Sequence, residues 1–351
     1  MKMGWQAFSL VVAFTAAWNL AEAQNVKVTP IGQRTGEFCA GDRAILFEDP
    51  TGVRLLYDPG NTVAGGDDPR LGSDVHAILI SHAHSDHLGN GKLSQNPDSQ
   101  TSTCGNAPPT PAPSSNTAEI AAAKNSVIVA GGPLATVIGR LIAAVTGSNT
   151  AGCPTSGLTN ETIVPRTAPC TAGQLFGAKR TIRLVSASRG VEIAMVTAIH
   201  PNDLTNTFVA DPAKNMLGPG LNIGLANGFV ITFTNGLKVY LSGDTGLTSD
   251  MSTIVSGYYG ADVAVINIGD IFTTGPEEAA FAVTDFIRAT SVIPSHVNEA
   301  ATQGGVPVVG SRTARFVQLA SQGKTSVLLP LSGITMEFNE KGRCEVGCRG
   351  K

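Results

Sequence analysis

The sequence predicts an α/β fold in which two β-sheets pack face to face and helices cover their outer faces, an αββα sandwich. Runs typical of strands are grouped early and late in the chain, with helical patterns between them. Candidate functional residues follow several of these runs, from position 82 to position 296. One domain is needed to bring them together, and 351 residues with 42% hydrophobic content can bury the core that this requires.

The strands are predicted from short apolar runs, many of them β-branched, that end in turn residues. The first three form a meander, and GFVITFT and LKVYLSG form a hairpin with a two-residue turn at Asn235-Gly236. TSVLLP and GITMEF are expected to finish the second sheet. The other predicted strands are VKVTPI, AILFED, VRLLYD, VHAILI, the start of VIVAGG, RTIRLVSA, GVEIAMVTAI, DVAVINI and SVIPSHVN.

Helices are predicted from the segments that lie between these strands. An apolar helix begins near Pro133, because proline is favoured in a first turn, and a second covers about 249–259. PEEAAFAVTDFIRAT opens with Pro276 and two acids that complement the helix dipole. SRTARFVQLASQ is the last helix. The candidate ligands all fall at strand ends, so they can share one edge of the sandwich.

The stretch 81–90, SHAHSDHLGN, is predicted to be a metal-binding loop. It follows the apolar run VHAILI, so it begins where a buried strand runs out into a loop. Residues two apart on an extended segment point the same way. His82 and His84 can therefore bind one ion, while Asp86 and His87, which follow the bend, point toward a second.

This loop holds three of the six histidines of the chain. Desolvating such a cluster without a cation to bind would be costly, which argues against a purely structural role. An isolated histidine is more often a hydrogen-bonded structural residue, and His76 is interpreted in that way.

The HxHxDHLG motif of this loop resembles the signature loop of the metallo-β-lactamase superfamily. His200 in VTAIHPN, Asp244 in VYLSGDTG and His296 in VIPSHVN resemble the later ligand positions of that family. LLYDPGN, SGDTGLTSDM, NIGDIFTTGPEEA and IPSHVN together are similar to the branch that includes L-ascorbate-6-phosphate lactonase and uncharacterised metal-dependent hydrolases. The resemblance runs from about Val26 to about Phe338 and implies the αββα fold of that superfamily.

The resemblance implies a site for two divalent metal ions. Nitrogen and oxygen ligands suit Zn²⁺ and leave Mn²⁺ and Fe²⁺ open. Two ions about 3.5–4 Å apart can hold a hydroxide between them and polarise a carbonyl or phosphoryl oxygen, so the implied reaction is hydrolysis. Asp86 and Asp244 are the expected catalytic carboxylates. The implied ligands are His82, His84 and His200 for one ion, Asp86, His87 and His296 for the other, and Asp244 as the bridge.

An ester or a lactone is the expected substrate, and a phosphodiester is the alternative. A phosphoester pocket usually offers Arg or Lys to the non-bridging oxygens. Only Lys92 lies close in sequence to a candidate ligand, although Arg180, Arg183 or Arg189 could reach the site from elsewhere.

Further site residues are implied by the same resemblance. Asp58, at the end of VRLLYD, is expected to orient a ligand histidine or the loop backbone, and turn capping is the alternative role. Val297 stands where the family usually has an aromatic residue. The residues expected near the substrate are Asp270, Thr273, Thr274 and Gly275 in GDIFTTGP, together with Asn298.

Three other functional classes fit the pattern less well. A secreted β-lactamase is disfavoured, because those enzymes lack a bridging aspartate at the position of Asp244. A binding or scaffold protein on a degenerate fold is disfavoured by the complete ligand set. An oxidoreductase with a di-iron site would be recognised by its iron content and visible absorption.

The first 23 residues are predicted to be a secretory signal peptide. Lys2 supplies a positive start, 7–18 an apolar middle, and Ala21-Glu22-Ala23 a small-x-small cleavage site before Gln24. The apolar run is short for a membrane span, and an uncleaved anchor is the alternative. The mature chain is therefore expected in the periplasm or outside the cell, with no membrane attachment.

The cysteine content is consistent with export. The six cysteines are an even set without CxxC spacing, so disulfides are expected in an oxidising compartment. Six cysteines allow about 15 pairings. Proximity in sequence favours Cys344 with Cys348 and Cys153 with Cys170, which leaves Cys39 for Cys104.

The mature chain, 24–351, is predicted to form one hydrolase domain. Segments 91–125 and 148–177 are rich in turn residues and are interpreted as insertions, the first a candidate lid over the site, and 339–351 as a disulfide-bearing tail. A net charge of −3 without a basic block counts against nucleic acid as a partner. A small-molecule substrate is expected, and the oligomeric state stays open.

Overall fold

The computed structural model describes residues 24–93, 104, 110–111, 114–155, 160–205 and 220–349. The predicted signal peptide, 1–23, and the parts 94–103, 105–109 and 112–113 of the predicted lid lie outside the described residues. Within the described ranges, no helix combines the length and the apolar character needed to cross a lipid bilayer.

The described chain is rich in strands, with helices between some of them. The strands are β1 Val26–Ile31, β2 Ala44–Glu48, β3 Arg54–Tyr57, β4 Ala77–Leu79, β5 Gly91–Lys92, β6 Thr110–Pro111, β7 Val127–Gly131, β8 Ala151–Gly152, β9 Glu161–Val164, β10 Cys170–Gln174, β11 Lys179–Leu184, β12 Val191–Thr197, β13 Asp203–Thr205, β14 Gly220–Asn222, β15 Asn227–Thr232, β16 Lys238–Leu241, β17 Val263–Asn267, β18 Ser291–Ser295, β19 Thr302–Gln303, β20 Val306–Pro307, β21 Ser326–Val327, β22 Met336–Phe338 and β23 Cys344–Val346. The helices are α1 Ser85–Leu88, α2 Asn116–Lys124, α3 Gly132–Thr146, the π-type α4 Met251–Tyr259, α5 Pro276–Phe281 with a π-type continuation Ala282–Ile287, and α6 Arg312–Ala320.

Two large sheets form the centre of the molecule. The first has the strand order β23-β22-β1-β2-β3-β4-β7-β10-β8, and the second has the order β21-β18-β17-β16-β15-β12-β11-β9. Their inner faces share one apolar core, in which Phe47 and Leu79 of the first sheet pack with Phe229, Val239 and Ile293 of the second. This shared core joins the two sheets into one sandwich.

Helices cover both outer faces of the sandwich. Ile120 of α2 and Ile138 of α3 are buried with residues of the first sheet. Val255 of α4, Val283 beside α5 and Phe316 of α6 are buried with residues of the second. The predicted αββα architecture is therefore confirmed, and α3 begins beside Pro133 as expected.

The two segments predicted as insertions contain regular structure. Segment 91–125 includes α2, which begins because the Ser115 side chain accepts a hydrogen bond from the Ala118 amide and continues through alanine-rich sequence. Segment 148–177 supplies β9 to the second sheet and β10 to the first. The turn-rich composition of the two segments did not indicate these elements, because a short helix and strands built from small and polar residues show little apolar periodicity.

Two details of strand pairing also differ from the prediction. GITMEF does not finish the second sheet, because β22 pairs antiparallel with β1 in the first sheet. The β15–β16 hairpin has a longer turn than the two residues expected: the Phe233 and Leu237 backbones are hydrogen bonded, and Gly236 takes the positive φ. The Asp49 carboxylate fixes this turn by accepting hydrogen bonds from the amide and hydroxyl of Thr234.

The three predicted disulfides are confirmed. All six cysteines are paired, as Cys39–Cys104, Cys153–Cys170 and Cys344–Cys348.

Candidate metal centre

The predicted metal loop leaves the carboxyl end of β4 and bends into the short helix α1. Gly60 makes this bend possible, because a Cβ atom there would lie 2.2 Å from the Asp86 carbonyl oxygen. The Gly60 amide instead donates a hydrogen bond to the His87 carbonyl oxygen, and its positive φ of 50° suits glycine. Close backbone approach therefore holds α1 against the turn that follows β3.

All of the predicted ligands converge at one edge of the sandwich. His200 follows β12, Asp244 follows β16, and His296 follows β18 directly. They meet the side chains of the metal loop in three groups whose ligand atoms lie within 4.8 Å of one another. These groups are His82, His84 and His200; His82, His87 and Asp244; and Asp86, His87 and His296.

Asp244 lies at the middle of the seven predicted ligands, which together form the ligand constellation. One carboxylate oxygen is 2.9 Å from His296 Nε2 and 3.6 Å from His200 Nε2, and the other is 3.3 Å from His87 Nε2. Burial opposes its charge, but the neighbouring His87 and His296 outweigh burial and hold the pKa of this carboxyl well below its usual range. Asp244 is therefore an ionised carboxylate surrounded by imidazoles.

The buried imidazoles fit metal coordination. Among the described residues, the buried Nε2 atoms of His82 and His87 make no well-directed hydrogen bond, and the nearest approach of His87 Nε2 is the 3.3 Å ionic contact with Asp244. Buried polar atoms without a partner are rare in native proteins, and an ion would satisfy both of these. The donor set of imidazole nitrogen and carboxylate oxygen suits a divalent metal.

Asp58 fixes the orientation of two of these rings. Its carboxylate accepts hydrogen bonds from His87 Nδ1 at 2.8 Å and from the Ser81 hydroxyl at 2.6 Å and amide at 2.9 Å. Since the Ser81 proton points to Asp58, the Ser81 oxygen can accept from His82 Nδ1, 3.0 Å away. Both rings then carry their proton on Nδ1 and present Nε2 to the centre.

The protonation of the histidines depends on their surroundings. Burial lowers the pKa of His82 well below its usual value, and burial also lowers the pKa values of His84 and His200. At His87 burial acts in the same direction, but the charges of Asp244, Asp86 and Asp58 overcome it and raise the pKa well above the usual value. A cation between these carboxylates would replace that proton.

Two polar residues that the sequence pattern did not indicate hold the strand ends in place. Asn202 accepts a hydrogen bond from the Ala83 amide, between two candidate ligands, and donates to the Leu225 carbonyl oxygen. The Thr245 hydroxyl accepts a hydrogen bond from the Ile199 amide, next to His200. The loop after β12 is thus tied to the metal loop through Asn202 and to the loop after β16 through Thr245.

Arg43 is a third residue that sequence reasoning missed. Its side chain is only 5% exposed, and Nη2 donates to Asp86 Oδ2 at 3.2 Å and to Asn298 Oδ1 at 3.1 Å. Burial opposes the charge of Asp86, but His87, His296 and Arg43 together hold the pKa of its carboxyl well below its usual range. Arg43 therefore joins a candidate ligand to the one predicted substrate residue that reaches the cavity.

An open cavity of about 530 Å³ lies over the constellation. Apart from candidate ligands, its lining includes Pro201, Ile271, Phe272 and Asn298. Of the predicted substrate residues, only Asn298 is among them.

The other predicted substrate residues support the loop instead. Thr274 is buried and exchanges hydrogen bonds with Asn267, and the Asp270 carboxylate accepts from the Ile271 amide. The Thr273 hydroxyl donates to the Thr274 carbonyl oxygen. Gly275 is buried and precedes α5.

Three of the four basic residues considered for the site have partners elsewhere, and the fourth, Arg189, does not line the cavity. Arg183 pairs with Glu161, Arg180 donates to Thr162, and Lys92 pairs with Glu119. His76 accepts a hydrogen bond from the Arg54 amide, which confirms its structural interpretation. No lysine or arginine is present among the described residues that line the cavity.

We expect Arg43→Met to lower kcat/KM about tenfold without loss of bound metal, because the substitution removes no candidate ligand but leaves Asp86 and Asn298 without their shared donor. Arg43→Lys should recover only part of the loss, since an ammonium group reaches two separated acceptors poorly. Steady-state kinetics with metal analysis checks this. Equal activity of wild type and Arg43→Met would rule out the positioning role.

Comparison with known families agrees with the geometry. A beta-lactamase superfamily domain model matches residues 168–297, and a metallo-beta-lactamase superfamily model matches residues 43–96. A UPF0173 metal-dependent hydrolase of Cupriavidus necator is 28% identical over 94% of this chain and 96% of the relative. Another, from Cupriavidus taiwanensis, is 29% identical over 85% of each chain.

Solved structures share the fold at low sequence identity. Igni18, a metallo hydrolase from Ignicoccus hospitalis, has a TM-score of 0.54 at 19% identity and covers 90% of this chain and 100% of its own. The metallo-beta-lactamase fold protein YhfI from Bacillus subtilis has a TM-score of 0.51 at 15% identity, with the same coverage of 90% and 100%. The superfamily models, the full-length relatives and the shared fold thus all relate this chain to metal-dependent hydrolases of the metallo-β-lactamase superfamily.

Proposed function

We propose that this chain hydrolyses a carboxylic ester or a lactone with the help of two divalent metal ions, most suitably zinc. The observation that carries the proposal is the convergence of seven imidazole and carboxylate side chains, five of which line one open cavity. His82, His84 and His200 would hold one ion, Asp86, His87 and His296 the other, and Asp244 would contact both. Ions bound there would lower the pKa of water toward neutrality and polarise the substrate carbonyl.

The protein contributes orientation and charge to this chemistry. Asp58 keeps the Nδ1 protons of His82 and His87 away from the centre, so both Nε2 atoms face Asp244. The ionised Asp244 supplies the negative charge that two neighbouring cations require. Asn298, held by Arg43, presents an amide group at the cavity wall, where it can donate a hydrogen bond to the substrate.

The choice of an ester or lactone over a phosphodiester rests on the charge of the lining. A phosphodiester keeps a negative charge on its non-bridging oxygens, which arginine or lysine usually neutralises. The described cavity wall offers apolar groups and an amide instead, and Arg43 is nearly buried and engaged with Asp86 and Asn298. A neutral carbonyl substrate suits this wall better.

We propose further that the chain is exported to the periplasm or the medium, with a small molecule as its substrate. The three disulfides and the apolar segment before Gln24 support this. Mass spectrometry of the protein from an export-competent host should find Gln24 at the N-terminus. Recovery of the intact chain from the cytoplasm with six free thiols would overturn it.

A side-by-side assay with aryl esters, lactones and bis-aryl phosphates tests the activity. We expect the highest kcat/KM for an ester or a lactone, loss of at least about a hundredfold after chelation, and recovery on adding Zn²⁺ or Mn²⁺. A phosphodiester that exceeds every ester and lactone would reverse the choice of substrate. Activity that survives complete metal removal would overturn the metal-dependent mechanism.

A further inference from the structure

Two large apolar side chains stand exposed at the mouth of the cavity. Ile271 is 77% exposed and Phe272 is 71% exposed, whereas Ile266 and Ile268, just before them, are fully buried. Both line the cavity opposite the candidate ligands, and Pro201 adds a third apolar group to the lining. Leaving such side chains in water is unfavourable unless something covers them.

The backbone that presents these side chains is strained. Asp270 and Ile271 have φ angles of 60° and 62°. A left-handed conformation is tolerated by aspartate but is unfavourable for a β-branched residue such as isoleucine. Strain of this kind persists only where surrounding contacts enforce it, and it is concentrated at ligand-binding sites.

Hydrogen bonds within the loop and at its base hold this turn in place. The Ile271 amide donates to Asp270 Oδ1 at 2.8 Å, and the Phe272 amide donates to the Asp270 carbonyl oxygen. At the base of the loop, the Thr274 amide donates at 3.0 Å to the carbonyl oxygen of Thr245, the residue after Asp244. The apolar pair is therefore held at a fixed position relative to the metal centre.

We propose that Ile271 and Phe272 form an apolar subsite that selects substrates with a medium-length aliphatic or an aromatic group beside the scissile bond. This inference rests on the proposed ester or lactone hydrolysis and specifies its substrate class. The carbonyl would lie over the constellation while the apolar group covers the Ile271 and Phe272 side chains. The absence of cations from the described lining accords with an apolar rather than an anionic group.

Esters of different chain length test the subsite in wild type, Ile271→Ser, Phe272→Ser and the double variant. Wild type should prefer 4-nitrophenyl hexanoate over the acetate, and the hexanoate-to-acetate ratio of kcat/KM should fall about tenfold in the double variant, since each buried methylene favours binding. Val309→Ser, which alters a 97% exposed apolar residue elsewhere, is the matched control and should keep the wild-type ratio. Thermal unfolding confirms that each variant is folded.

Calorimetric binding of octanoate and acetate gives a second measurement that needs no turnover. Octanoate should bind wild type at least about tenfold tighter than acetate does, and this difference should shrink in the double variant.

If esters and lactones are not hydrolysed but octanoate binding follows this pattern, the proposed function fails and the subsite stands. Ester hydrolysis or octanoate binding that is insensitive to the substitutions would overturn the subsite alone. Binding of phosphatidylcholine vesicles that is lost in the double variant, with an unchanged ester ratio, would assign the pair to a membrane contact instead.

Discussion

Asp244→Asn is expected to lower kcat/KM about a thousandfold and to weaken binding of at least one ion, while the fold persists. The Asp244 carboxylate lies within 4 Å of four imidazole nitrogens, from His82, His87, His200 and His296. Asparagine keeps the shape but removes the negative charge that the two proposed cations would require. Kinetics and metal analysis on the same preparations measure both effects.

A suitable control is Asp285→Asn, which changes an exposed carboxylate beside α5, far from the cavity lining. It should leave both activity and metal content as in wild type. If Asp244→Asn also keeps its activity and its metal, Asp244 is a structural turn residue and the two-ion arrangement fails.

Asp58→Ala is expected to lower activity and metal affinity by about ten- to a hundredfold. The fully buried carboxylate accepts three hydrogen bonds, from the His87 ring and from the amide and hydroxyl of Ser81. Its removal leaves the Ser81 amide unsatisfied and frees the His87 ring to rotate. A loss of stability of about 1–3 kcal/mol should therefore accompany the loss of function.

Asp58→Asn separates these two effects. The amide oxygen can still accept from Ser81, so stability should be largely retained, while the proton on His87 Nδ1 loses its ionic partner. Urea unfolding measures the stability of each variant and a zinc titration measures its metal affinity, and together they distinguish Asp58→Asn from Asp58→Ala. If Asp58→Ala binds metal as tightly as wild type does, Asp58 does not orient a ligand and its role is turn capping.

The parts of the site that could be predicted are those whose chemistry is encoded locally. His82, His84, Asp86 and His87 lie in one loop, and their spacing alone indicates two directions of coordination. His200, Asp244 and His296 were found only through the family resemblance, since a lone histidine or aspartate after a strand carries little information of its own. Their convergence then followed from strand ends that share one edge.

The residues that were missed act through the tertiary structure. Arg43 precedes β2, and nothing in its sequence context indicates that it reaches Asp86 and Asn298. Asn202 and Thr245 resemble ordinary loop residues until the backbones that they bind come close. Ile271 and Phe272 are large apolar residues whose type favours burial, but both are exposed at the left-handed turn of Asp270 and Ile271.

The errors in the fold have a similar origin. The GITMEF sequence has the pattern of a strand, but this pattern does not indicate which of the two sheets the strand joins. The strand β22 pairs with β1 in the first sheet rather than with the second. The Asn235-Gly236 pair favours a tight turn, yet the Asp49 carboxylate, distant in sequence, stabilises a longer one through Thr234. Long-range contacts override local preference in both cases.

The number of metal ions bound per chain tests the central claim most directly. Wild type should be stripped with a chelator, loaded with excess Zn²⁺, dialysed and measured by inductively coupled plasma mass spectrometry against protein concentration. The seven converging side chains predict two zinc ions per chain. A stoichiometry of one or less in the folded wild-type protein would contradict the two-ion centre.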